Sequence, residues 1–120
     1  MKIPSFVLRK LYVSNSLGNE DGGFCFRLRN SLGTAELTVF PEIEVDGDRI
    51  PKARVSLWID GKEVKVKEIS VEKPLCFPKN TEAKVFVAGR NLGRGLHTVV
   101  ISTETKEFKT LRFDIEEVVG

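Results

Sequence analysis

The sequence has few of the residues from which catalytic and metal centres are usually built. Its 120 residues include two cysteines and a single histidine. A tetrahedral metal site needs more ligands than these three side chains readily supply. Any acid, base or nucleophile scheme that uses histidine depends on His97 alone. We therefore expect no catalytic residue, no metal ligand and no cofactor, and we do not expect the chain to be catalytic by itself.

Long apolar runs and a strong charge of one sign are also missing. No stretch approaches the roughly 20 apolar residues of a membrane-spanning helix. Arg9 and Lys10 interrupt the start of the chain too early for the apolar segment of a signal peptide. The net charge of +2 is too small to indicate a nucleic-acid partner. We expect a cytoplasmic protein that binds neither nucleic acid nor membrane.

The two cysteines, Cys25 and Cys76, are far apart in sequence and form no Cys-x-x-Cys pair. Disulfides are rare in cytosolic proteins. We therefore expect two free thiols.

What the sequence does contain is a series of short alternating segments separated by turn residues. With 41% hydrophobic and 30% charged residues, the chain suits one folded domain over residues 1–120. Asp46-Gly47 and Asp60-Gly61 are strong signals for two-residue hairpins, and we interpret both aspartates as structural turn residues. The clearest alternation lies at residues 24–29, where aromatic and leucine side chains face one side and the polar ones face the other.

This pattern predicts an all-β fold, specifically a two-sheet antiparallel β-sandwich of the immunoglobulin-like or jelly-roll-like kind. About eight or nine strands are expected. The predicted core consists of Phe24, Phe26, Leu28, Leu57, Ile59, Val85, Val100 and Phe113.

Three segments have less clear patterns. Residues 6–13 alternate weakly and predict a strand, although a short helix is also compatible. Val64 and Val66 predict the return strand after Asp60-Gly61, with Glu63, Lys65 and Lys67 facing outward. Residues 74–80 include two prolines, Pro74 and Pro78, and predict an irregular connection.

The strand predicted over residues 96–102 follows a glycine turn and is apolar on both faces. Leu96, Thr98 and Val100 face one way, and His97, Val99 and Ile101 face the other. Such a strand is typical of the middle of a covered sheet, or of a sheet that docks onto a partner. We interpret His97 as structural, with a buried ring hydrogen-bonded to backbone. A contribution to an active site shared with a partner stays open.

A candidate interface is formed by residues on predicted outer faces and in one loop. Cys25, Trp58 and Phe86 are large or apolar side chains on faces expected to point outward. Their exposure is either incidental or marks an interaction surface. Arg90 and Arg94, in a glycine-containing loop, are either solvated or bind an anionic partner.

The order of several motifs resembles one family. The motifs are Ser16-Leu17, Gly23-Phe24-Cys25-Phe26, Glu44-Val45-Asp46-Gly47, Ile50-Pro51, Ile59-Asp60-Gly61-Lys62-Glu63-Val64, Ala83-Lys84-Val85-Phe86-Val87 and Leu92-Gly93-Arg94-Gly95-Leu96-His97-Thr98-Val99. In this order they resemble the small β subunit of C-glycoside deglycosidases, enzymes that split carbon–carbon-linked glycosides. Leu32-Gly33-Thr34 departs from that family's usual Tyr-Arg-Gly segment. Leu75-Cys76-Phe77-Pro78 stands where it often has a tryptophan.

The resemblance implies a β-sandwich subunit that supports a larger, barrel-shaped catalytic subunit carrying a divalent metal. The expected function is a non-catalytic accessory subunit of a metal-dependent C-glycoside-cleaving or related sugar enzyme. The alternative is a self-associating binding or structural module without an enzymatic partner. Short prokaryotic proteins of this pattern can also carry a hydroxymethylglutaryl-CoA reductase label. A chain with one histidine and no nucleotide motif is not expected to be that enzyme alone.

Overall fold

A computed structural model describes residues 3–120, which form two antiparallel β-sheets that share one hydrophobic core. The predicted all-β, two-sheet antiparallel fold is confirmed. The one α-helix of the described residues, α1 (Ser5–Leu8), is a single turn, and no helix among them is long and apolar enough to cross a membrane. In chain order the strands are β1 (Gly18–Glu20), β2 (Gly23–Arg29), β3 (Ala35–Leu37), β4 (Glu42–Val45), β5 (Asp48–Ile50), β6 (Val55–Ile59), β7 (Lys62–Val64), β8 (Leu75–Phe77), β9 (Glu82–Ala88), β10 (Gly95–Thr105) and β11 (Lys109–Val119).

Sheet A has the strand order β1-β2-β9-β6-β7. In sheet B, β10 lies in the middle: it pairs with β11 along its whole length on one side, and with β4 and then β3 on the other. β5 pairs with the far side of β4, and β8 pairs with the far side of β3. The prediction that residues 96–102 form a central strand is therefore confirmed.

Two-residue turns set the register of three hairpins. Asp46-Gly47 joins β4 to β5, Asp60-Gly61 joins β6 to β7, and Asp21-Gly22 joins β1 to β2. All six residues have positive φ, as the tight primed turns require. The interpretation of Asp46 and Asp60 as turn residues is confirmed.

The core lies between the sheets and follows the period of two expected for strands. Seven of the eight predicted core residues are buried: Phe24, Phe26, Leu28, Leu57, Ile59, Val85 and Phe113. Val100 was predicted wrongly. Its neighbours Val99 and Ile101 point into the core, so Val100 faces outward opposite Glu44 and Asp114. Because the strand is apolar on both faces, its alternation alone does not say which face is inside.

The strand predicted over residues 6–13 is also wrong. The Pro4 carbonyl accepts the N–H groups of Val7 and Leu8, which starts α1, and a 3-10 turn follows at Arg9–Leu11. Leu8 and Leu11 lie three residues apart, and both are buried. That helical spacing, rather than the weak alternation, determines the local structure.

Two further segments differ from the prediction. Val66 does not continue β7, because the Glu68 carboxylate accepts the Lys65 backbone N–H at 2.8 Å and a 3-10 turn, Val66–Glu68, begins there. Residues 74–80 contain β8, which the flanking prolines limit to three residues at the sheet edge. Short strands of this kind raise the number of strands above the eight or nine expected.

The N-terminal segment covers the outer edge of sheet B. The Arg9 guanidinium donates to the backbone carbonyl oxygen of Asp114 in β11 at 3.1 Å and to the Asp114 carboxylate at 2.7 Å. The Tyr12 hydroxyl donates to Glu117, also of β11, at 2.7 Å. Burial and this contact with Glu117 raise the pKa of Tyr12 above its usual value. These bonds occupy part of an edge that would otherwise be free to pair with another chain.

Gly23 has no room for a side chain, because its Cα faces the backbone of β9. A Cβ atom there would lie 2.0 Å from the Val87 carbonyl oxygen of β9. We expect Gly23→Ala to push β2 from β9 and to lower the free energy of unfolding by about 1–3 kcal/mol. Gly18→Ala is the matched control, because a Cβ at Gly18 meets nothing within 4 Å. Thermal unfolding followed by circular dichroism checks both, and equal midpoints for the two variants would contradict the expectation.

Candidate functional site

The outer face of sheet A brings three of the five candidate interface residues together. Cys25 of β2 pairs directly with Phe86 of β9, and Trp58 of β6 lies opposite Lys84, one pleat further along the same face. Diagonal neighbours of this kind lie within reach of aromatic side chains. All three residues are half-buried. We call Cys25, Phe86 and Trp58 the apolar ridge.

Charged residues lie on the same face as the apolar ridge and pair with one another, and Lys84 lies directly opposite Trp58. Arg27 contacts Glu82 at 3.2 Å, and Lys84 contacts Glu20 at 2.9 Å. Their side chains remain about 40–50% exposed, so these pairs contribute little to stability. The hydrogen bond and charge of Lys84 hold the pKa of Glu20 below its usual range, so this ion pair stays charged near neutral pH.

Cys25 contributes to the ridge as a small apolar group. Burial, and then the nearby Glu20 carboxylate, raise the pKa of its thiol above the usual value. A raised pKa keeps the thiol protonated and weakly nucleophilic at neutral pH. Cys25 and Cys76 are both free, which confirms the expectation of two unpaired thiols.

The structure does not bring Arg90 and Arg94 onto the ridge. Both lie in the β9–β10 loop, which crosses from one sheet to the other. Arg90 turns towards sheet B, where its guanidinium pairs with Asp48 at 2.9 Å. Arg94 is exposed in the same loop. An anionic partner for either side chain stays a prediction.

His97 forms a clamp with two other parts of the chain. Its Nδ1 lies 2.6 Å from an Asp46 carboxylate oxygen, and its Nε2 lies 2.7 Å from the Gly93 carbonyl oxygen. The other Asp46 oxygen accepts the Thr98 backbone N–H at 2.9 Å. The ring is only 14% exposed. It is therefore largely buried and bonded to backbone as predicted, and it ties the β4–β5 turn to the β9–β10 loop.

The partners of this ring decide its protonation. A carboxylate and a carbonyl oxygen both accept hydrogen bonds, so both ring nitrogens donate only when the ring is protonated. The Asp46 hydrogen bond and then the Gly93 carbonyl raise the pKa of His97. The Thr98 amide and then His97 lower the pKa of Asp46. Because Nδ1 is bonded to Asp46 and Nε2 to the Gly93 carbonyl oxygen, the ring has no free nitrogen to act as a base towards a substrate.

The sequence reasoning found His97 but missed Asp46 as its partner. The two residues are brought together because Val45 of β4 pairs with Val99 of β10. No local pattern in the sequence predicts that long-range pairing. Within residues 3–120, no three potential metal-binding side chains converge.

A protein-family model described as "Hydroxymethylglutaryl-CoA reductase, N-terminal domain" matches residues 7–120. The chain belongs to this family. A search of curated protein sequences finds no match for it. The family match spans nearly the whole chain, including both sheets described above.

The resemblance to the C-glycoside deglycosidase β subunit is wrong, because the matching family is a different one. The structure explains why these motifs indicated the wrong family. Asp46-Gly47 and Asp60-Gly61 are two-residue hairpin turns, and Gly93 and Arg94 belong to the loop between the sheets, which ends where β10 begins at Gly95. Such segments follow from turn geometry that many β-sandwiches share.

We expect His97→Ala to lower the free energy of unfolding by about 1 kcal/mol, because it removes the ring that donates to one Asp46 carboxylate oxygen and to the Gly93 carbonyl oxygen. In a domain of this size that corresponds to a decrease of about 3–6 °C in the unfolding midpoint. Differential scanning calorimetry checks it. Arg94→Ala, an exposed change in the adjoining loop, is the control and should leave the midpoint unchanged. A fully stable His97→Ala variant would refute the clamp.

The stabilisation by His97 should depend on pH. A raised folded pKa means that the contribution is complete below the unfolded value of 6.5 and is lost as pH rises through the folded value. The lowered pKa of Asp46 means that its contribution is present above 3.8 and is lost as pH falls through its folded value. The difference in midpoint between the wild type and His97→Ala should therefore be largest between these limits and shrink at alkaline pH. A difference that is constant from acid to alkaline pH would argue against a charged pair.

Proposed function

We propose that this protein is a non-catalytic module that binds a larger catalytic protein through the apolar ridge on sheet A. The observation that carries the proposal is the arrangement of Cys25, Phe86 and Trp58 on three adjacent strands. Aromatic residues are enriched in protein interfaces relative to the rest of the surface. Tryptophan is also among the residues most enriched at positions that dominate binding energy.

The family description supports one choice of partner. It names an N-terminal domain of hydroxymethylglutaryl-CoA reductase, which implies that the family is described as one part of a larger enzyme. We therefore take the catalytic part of such a reductase as the partner, in place of the sugar enzyme expected from the sequence. A cytoplasmic location for this complex stays a prediction.

The two ion pairs on this face favour binding of a specific partner over non-specific adsorption. Arg27 with Glu82, and Lys84 with Glu20, already neutralise each other, so the face presents no field of one sign. A partner that covers the ridge removes Trp58 and Phe86 from water and also contacts Lys84, which lies directly opposite Trp58. Affinity would then come from the aromatic centre, and orientation from the charges around it.

The test is binding of the purified catalytic part of the host's hydroxymethylglutaryl-CoA reductase, measured by isothermal titration calorimetry. Trp58→Lys should weaken binding by roughly thirtyfold or more, as expected for loss of a central residue worth about 2 kcal/mol. Val118→Lys is the matched control, because Val118 is 69% exposed on the outer face of sheet B. Thermal unfolding establishes that both variants are folded.

The binding of the two variants shows which of the two outer faces contacts the reductase. Loss of binding in Trp58→Lys alone supports the ridge. Loss in Val118→Lys alone would move the docking surface to sheet B. Absence of binding by the wild-type protein would reject the reductase as partner.

Self-association is a second candidate, favoured by a separate observation on sheet B. Leu96 and Val118 are direct cross-strand neighbours on its outer face and are 60% and 69% exposed. Val100 continues the same face. Two copies that pack these faces together would form an isologous dimer, in which the same residues meet across a twofold axis. The small apolar area indicates a weak dimer.

Sedimentation velocity over a range of concentrations tests this dimer. The wild-type sedimentation coefficient should rise with concentration, and Leu96→Lys should remove the rise because it places like charges opposite each other. Val71→Lys changes an equally exposed valine, 67% exposed and outside both sheets, and should behave as wild type. A wild-type protein that stays monomeric throughout would exclude the second candidate.

A further inference from the structure

A cavity of about 70 Å³ lies in the core between the two sheets. Sheet A lines it with Leu28, Ala83 and Val85, and sheet B lines it with residues that include Ala35 and Phe113. It is separate from the apolar ridge, which lies on the opposite face of sheet A. The two alanines provide the space, because neighbouring inward positions on the strands carry larger side chains.

The polar groups beside this cavity are already occupied. The Asn30 amide nitrogen donates to the carbonyls of Gly33 and Phe77, both at 2.8 Å, and its oxygen accepts the N–H groups of Leu32 and Gly33. The Thr103 hydroxyl donates to a backbone carbonyl at 2.6 Å. No buried side-chain nitrogen or oxygen of the described residues lacks a partner. A water molecule in the cavity would find few hydrogen-bond partners, so hydrocarbon is the more favourable occupant.

The cavity also has a route to the surface. Six of its lining residues are only half-buried, and four of these carry large apolar side chains: Ile3, Leu32, Phe108 and Leu111. They come from the N-terminal segment, the β2–β3 loop and the β10–β11 hairpin. The Phe108 ring lies 3.9 Å from the position that a Cβ on Gly33 would occupy, so this ring spans the gap between the loop and the hairpin. Movement of one side chain, rather than separation of the sheets, would open the route.

We infer that this cavity is a binding site for the end of an alkyl chain, which enters past Phe108 between the β2–β3 loop and the β10–β11 hairpin. The apolar lining selects hydrocarbon, and the mouth allows the remainder of a longer molecule to stay in solvent. The enclosed volume accommodates a short chain end and is too small for a drug-sized ligand. The inference does not depend on the proposed docking of the apolar ridge.

The experiment uses the whole protein with methyl groups labelled for NMR, and sodium octanoate and xenon as probes. Octanoate should shift the methyl signals of Leu28, Val85 and Leu111 saturably, and leave those of Leu96 and Val118 on the outer face of sheet B unchanged. Shifts confined to Leu96 and Val118 would show surface adsorption and overturn the inference. Shifts with xenon alone would show a closed packing void and would also overturn it. Absence of shifts with both probes would overturn it as well.

Ala83→Leu fills the cavity and should weaken octanoate binding by roughly tenfold or more. Ala88→Leu makes the same change on the opposite face of the same strand and should leave binding unchanged. Retained binding in a folded Ala83→Leu variant, with the same methyl shifts, would overturn the inference. Where Ala83→Leu does not fold, Phe108→Ala replaces it. That variant opens the mouth and should speed octanoate exchange while the Leu28 and Val85 shifts persist; unchanged exchange would overturn the proposed route.

Discussion

The pairing of β10 with β11 is the constraint on which sheet B depends. Eleven residues of each strand pair in unbroken register, from Gly95 with Val119 to Thr105 with Lys109. On its other side β10 pairs with β4 and β3, and the alternation along β10 directs Val99 and Ile101 into the core. The same alternation directs Leu96 and Val100 outward. The exposed aliphatic side chains on the outer face of sheet B therefore follow from the same alternation that builds the core.

The clamp at His97 holds the β9–β10 loop in place between the two sheets. The β9–β10 loop carries the chain from sheet A to sheet B, and loops of this kind have few backbone partners of their own. His97 binds the Gly93 carbonyl within the loop, and Asp46 binds both the ring and the Thr98 amide. Leu92 adds a pair of hydrogen bonds to the Asn19 side chain of β1. The loop is thereby attached to both sheets.

Local rules predicted much of the fold, and long-range contacts account for most of what was missed. Alternation identified the inward residues of β2, β6 and β9, and the Asp-Gly pairs identified the hairpins. The outward positions of Cys25, Trp58 and Phe86 followed from the same alternation, although their adjacency required the register of three strands. Val100 was assigned to the wrong face because β10 is apolar on both.

The family and the cavity were beyond what local patterns could give. Turn motifs led to the wrong family because hairpin chemistry is common to many β-sandwiches. The cavity depends on small residues at Ala35 and Ala83 that lie far apart in sequence and meet only in the folded core. Volume is a property of the packed structure, so alternation between apolar and polar residues carries no information about it.

The two outer faces differ in a way that bears on how each would be used. The ridge on sheet A is aromatic and half-buried, and Lys84 and its ion pair with Glu20 lie on the same face. The face of sheet B offers two strongly exposed aliphatic side chains, Leu96 and Val118, and no aromatic ring. Burial free energy scales with apolar area, and aromatic rings add contact energy beyond their area. Under the two proposals, the ridge would therefore bind through rigid aromatic contacts with Lys84 among them, whereas the face of sheet B would bind through aliphatic burial alone.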